Sequence, residues 1–100
     1  MSAVAQLGPD GSFHSLMVPD QGKHFMSSSG AGGGGPMASG QFKVENPACL
    51  QGRGVATCSP SGGGFQISFK DPHGQEGAKF ICDHSPVQPS GNSEGFWVED

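Results

Sequence analysis

The chain has 100 residues, the size of one small domain with a single core. Its net charge of −4, with Lys23, Lys43, Arg53, Lys70 and Lys79 scattered singly among nine acids, excludes the basic stripe that counterion release on nucleic acid requires. Gly, Pro, Ser and Gln fill 46 positions against 18 of Leu, Ile, Val and Phe, so the core is thin and the seven Phe carry much of its apolar area.

No apolar run approaches the ~18–20 residues of a membrane span, and Met1 to Gln6 lacks the basic and apolar regions of a signal peptide. No membrane partner is expected, and a reducing, cytoplasmic setting is favoured for the three cysteines, Cys49, Cys58 and Cys82.

Residues 1–10 read as a flexible N-terminus that runs into the turn Gly8-Pro9-Asp10-Gly11. Ser12 to Val18 is a candidate strand; Pro19-Asp20-Gln21-Gly22 is a turn, and Lys23 to Met26 can return antiparallel, making a hairpin arm over 11–27. Residues 28–40 are Gly/Ser-rich. Ser27 to Pro36 offers no side chain to bury and loses maximal backbone entropy on ordering, so a flexible loop or linker is expected.

The body, 41–100, begins with Gln41 to Asn46, where Phe42 and Val44 oppose Lys43 and Glu45 and Pro47 ends the strand. Gly54 to Cys58 is a fourth strand, followed by a loop over Ser59 to Gly64. The clearest pattern comes next. Phe65, Ile67 and Phe69 alternate with Gln66, Ser68 and Lys70; after the turn residues 71–77, Phe80, Cys82 and His84 alternate again, which predicts a β-hairpin. A loop over Ser85 to Ser93 precedes a seventh strand, Gly95 to Glu99. No window holds a helical apolar period. These elements predict an all-β fold: a small antiparallel β-sandwich or barrel of about six to seven short strands, with a flexible Gly/Ser-rich segment.

Two constellations could carry chemistry. Cys82 and His84 would share one face of a strand, and Cys49 and Cys58 could complete a Cys₃His set for a structural zinc, which would supply folding energy that a thin core lacks; the spacing departs from the tight knuckles of zinc modules. A thiol nucleophile on Cys58 or Cys82, activated by one of the four histidines, has the residue types but no flanking signature. Neither glycine run matches a phosphate-binding loop.

Trp97 and Phe96 are adjacent, so on a strand they face opposite ways; one enters the core and the other is offered to a partner. An exposed Trp97 would suit a sugar or protein surface, whereas Trp97 inside leaves Phe96 at the rim. His73 stands at the tip of Asp71-Pro72-His73-Gly74, where it could serve binding, although Asp-Pro followed by Gly is first of all turn chemistry.

Pro60-Ser61-Gly62-Gly63 and Gly91-Asn92-Ser93-Glu94, the latter ahead of an aromatic last strand, resemble the end of the small fungal immunomodulatory proteins. The resemblance spans those two tetrapeptides. It implies an Ig-like sandwich with lectin-like behaviour, and it stops in the N-terminal half, where that family uses an amphipathic helix.

The reading that follows is a non-catalytic binding module acting through loops and one sheet face on a protein or carbohydrate partner, with dimerisation through edge strands an option. The alternatives are a small metal- or thiol-dependent protein using Cys49, Cys58, Cys82 and His84, and a largely disordered chain that folds on a partner.

Overall fold

The computed structural model describes residues 1–28 and 32–100. Eight antiparallel strands close into a barrel: β1 (Ser2–Leu7), β2 (Phe13–Val18), β3 (Lys23–Ser27), β4 (Met37–Val44), β5 (Arg53–Ser61), β6 (Gly64–Lys70), β7 (Glu76–Cys82) and β8 (Gly91–Glu99). Around the wall the order is β1-β2-β3-β8-β5-β6-β7-β4, with β4 returning to β1. Two three-stranded meanders, β1-β2-β3 and β5-β6-β7, are thus joined by β8 on one side and β4 on the other. No α-helix occurs among the described residues; two 3₁₀ turns, Pro19–Gln21 and Pro47–Cys49, serve the links.

Alternation builds each stave. Inward positions pair large rings with small neighbours: Phe13, Phe25, Phe42, Phe65, Phe69, Phe80 and Trp97 are buried among Ala3, Ala5, Ala38, Ala56 and Ala78. A barrel this narrow admits seven rings only where other staves give up volume. Glycines mark the tightest approaches. A Cβ on Gly40 would lie 2.2 Å from the Ile81 carbonyl oxygen, and one on Gly95 would lie 2.1 Å from that of Met26. Leu50, in the link from β4 to β5, is buried in the same core.

The links divide between two ends. One end carries 8–12, the β3–β4 link, the β5–β6 turn and 83–90; the other carries 19–22, 45–52 and 71–75. Outward positions on the staves include Lys43, Lys70, Lys79, Gln41, Gln66 and Ser68. No helix of the described residues is long and apolar enough to cross a membrane.

The all-β expectation holds, with a barrel of eight strands in place of the sandwich alternative and of the Ig-like arrangement implied by the resemblance.

Several boundaries differ for physical reasons. Ser2–Leu7, expected to be flexible, is a stave paired on both sides, because Ala3, Ala5 and Leu7 supply the inward alternation with side chains too small to announce it. The 11–27 hairpin is two staves of the same wall rather than an arm. Within the expected loop 28–40, Met37 to Gly40 already belong to β4; Ser29, Gly30 and Ala31 lie outside the described residues.

The expected loop over Ser59 to Gly64 shrinks to a two-residue turn, since Ser61 pairs with Gly64 and Gly62, at φ 60°, sits where a type II′ hairpin places glycine. β8 starts at Gly91, drawn into pairing by β5. Closure leaves no open sheet edge among the described residues, so strand-to-strand pairing offers no route to a dimer there.

Candidate functional site

Eight-stranded barrels can hold a ligand in the lumen, but here the lumen is occupied by side chains. Trp97 packs against Phe25 and Phe69, each at 5.3 Å between ring centroids, and Phe25 meets Phe69 at 5.2 Å in an edge-on arrangement. Trp97 is 8% exposed, so it presents no face to a partner, and its Nε1–H has no hydrogen-bond partner among the described residues. This corrects the expectation that Trp97 lines a binding patch. Alternation decided between the neighbours: Phe25 stands opposite Trp97 and faces inward, which turns Phe96 out.

Phe96 is 45% exposed on the outer flank of β3, β8 and β5. Met26 stands directly opposite it on β3 and Arg53 opposite it on β5. Two residues along the staves, Glu94 stands opposite Val55. Between these rows runs a cleft of roughly 390 Å³, lined by Arg53 and Phe96 on one side, Glu94 and Val55 on the other, and Ser28 and Pro72. The paired Gly54 and Gly95 complete its lining with backbone; a Cβ on either would point inward, toward the Phe25 ring. Its size falls in the ~300–1,000 Å³ range of ligand pockets.

Arg53 and Glu94 are both exposed, and neither forms an ion pair among the described residues. The apolar surface continues along the flank through half-buried Val98, which pairs with His24, and through Met17, 49% exposed and opposite His24 on β2. The sequence signal for this site was the Phe96/Trp97 pair. Arg53, Glu94 and the glycine floor carry no local signal, because they meet only through strand pairing.

The four residues read as a zinc set are not brought together. Cys49 lies in the link from β4 to β5 at one end, whereas Cys82 ends β7 at the other and His84 is exposed in the loop beyond it. Cys58 faces inward on β5, with β6 between it and β7. Among the described residues no three His, Cys, Asp or Glu side chains converge as metal ligands.

The thiols are instead tied locally: Cys82 Sγ donates to the His84 carbonyl at 3.2 Å, and Cys49 Sγ donates to Asp71 Oδ2 at 3.7 Å. Burial pushes the Cys58 thiol up to about 12, and burial, reinforced by the Asp71 carboxylate, raises that of Cys49. Neither is poised as a thiolate nucleophile.

His73 is exposed in the β6–β7 turn, and its backbone N–H donates to Asp71 Oδ1 at 2.9 Å. The same oxygen accepts from Gln75 N–H at 2.9 Å, so the segment acts first as a closed turn. Its neighbour Pro72 is the member of that turn that reaches the cleft. Comparison of the chain with protein-family models, with curated proteins and with solved structures finds no match.

Proposed function

We propose that this protein is a non-catalytic binding module that holds a protein partner on the outer flank of β3, β8 and β5. One observation carries the reading: an exposed Phe96 borders a cleft whose opposite walls hold Arg53 and Glu94, a cation and an anion without ion-pair partners among the described residues. Aromatic and arginine side chains are the residues that anchor protein interfaces. The filled lumen supports an external rather than an internal site. A protein is favoured over a carbohydrate because the flat indole that stacks on sugars is buried, while Phe96 is extended by Met26, Val98 and Met17.

The test is a titration with N-acetylphenylalanine, whose ring matches Phe96 and whose carboxylate matches Arg53, followed in ¹H–¹⁵N amide spectra. The expected result is a set of shifts centred on Gly54, Val55, Gly95 and Phe96 that vanishes in a Phe96→Ala variant with an otherwise dispersed spectrum. Shifts spread over other flanks, or none, would overturn the proposal.

A further inference from the structure

We infer that the occupant of this flank is a second copy of the same chain, docked face to face about a two-fold axis; the inference rests on the flank being the binding surface. The surface is self-complementary in charge. It carries an exposed ring, Phe96, directly beside a cleft floored by the backbone of Gly54 and Gly95, with a cation and an anion on opposite walls that have no ion-pair partner among the described residues.

A two-fold interface brings one patch against itself, so each feature must meet its counterpart reciprocally. Strand geometry permits this. Glu94 lies two residues, ~6.8 Å, along β8 from Phe96, and Arg53 lies one strand spacing, ~4.8 Å, to the side of Phe96. A two-fold axis lying in the plane of the face and passing midway between Arg53 and Glu94 sets Arg53 over the partner's Glu94, and the reverse. The same axis sets the partner's Phe96 roughly 3 Å from the first in projection, less than a ring's width, so the two rings stack with an offset across the axis. One operator therefore joins both pairs of unlike charges and stacks the two Phe96 rings. The remaining contact, through Met26, Val98 and Val55, is apolar and half-buried already. With principal extents of 32 × 26 × 24 Å, one side of the barrel can supply the ~800 Å² per partner of a standard interface.

Sedimentation equilibrium of the full chain over a wide concentration range tests the inference. A reversible monomer–dimer equilibrium is expected, and Phe96→Glu should weaken it by roughly thirtyfold or more, as loss of a central aromatic anchor does. Arg53→Glu and Glu94→Arg should each weaken self-association, and an equimolar mixture of the two variants should recover it, because every reciprocal contact then joins unlike charges. A chain monomeric at all concentrations, a dimer indifferent to these variants, or a mixture that fails to recover would overturn the inference. In a monomeric chain, N-acetylphenylalanine shifts at Gly54 and Gly95 would leave the binding-module reading standing; their absence would remove both.

Discussion

Asp71 shows how much one side chain organises here. Its Oδ1 accepts the backbone N–H groups of His73 and Gln75, both at 2.9 Å, and the Gln75 bond is the main reason its carboxyl is held below the ordinary value of 3.8. A carboxyl whose pKa is lower in the folded state stabilises the fold above its unfolded value and loses that contribution as pH falls through the folded one. The urea midpoint should therefore fall as pH drops below 3.8 by more in the native chain than in Asp71→Asn, which keeps an acceptor without the charge. Parallel pH profiles for the two would overturn this assignment.

At the same scale, the adjacent aromatics were legible as one in and one out, but which was which depended on the inward register of β3, a contact 72 residues away between Phe25 and Trp97. In sequence, Gly40 falls in the Gly/Ser-rich segment and Gly95 opens the last predicted strand. They are required by strand approaches that leave no room for a Cβ.

Among the elements, large apolar alternation made strands legible, whereas β1, with small inward residues and no turn signal ahead of it, went unread. Phe65, Ile67 and Phe69 announce β6; Ala3 and Ala5 do the same geometric work in β1 with little hydrophobic signal. Ser61-Gly62-Gly63-Gly64 looked like a loop because glycine density is shared by linkers and by the tightest hairpins. Pairing also creates neighbours that no local pattern contains. Lys43 on β4 stands directly opposite Lys79 on β7, although the lysines are scattered singly in sequence. Like charges facing across strands are destabilising, and the Glu76 contact to Lys79, at 3.9 Å, offsets this only in part. Lys43→Glu should raise stability by about 0.2–1 kcal/mol, with most of the gain lost in 1 M salt. An unchanged or lowered urea midpoint at low salt would show that the two lysines do not interact.

Closure dominates the behaviour of the whole molecule. β1 is hydrogen-bonded to β2 on one side and to β4 on the other, so the first strand locks the meander of 2–27 to the remainder of the wall. Removal of residues 1–7 should therefore open the barrel and collapse the amide dispersion of the entire chain, not of its first third alone. A spectrum in which β5 to β8 stay dispersed would mean that residues 41–100 form the independent body that composition suggested. Closure also moves interaction from edge to face. With the rim paired and the lumen filled by rings, the flank around Phe96 is where an exposed aromatic, unpaired charges and a cleft coincide.

By itself, the sequence determined what depends on near neighbours: the all-β class, the positions of the strong hairpins, and a surface on which one of two adjacent aromatics must be exposed. Period-two alternation and turn chemistry are local, and they survive any choice of topology. The tertiary structure alone decided the closed eight-strand wall, the burial of Trp97, the separation of Cys49 from Cys82 and His84, and the meeting of Arg53, Glu94 and Phe96 around two glycines. Those features follow from which strands pair and in what register, and register is set by how seven rings and their small neighbours fill one narrow interior.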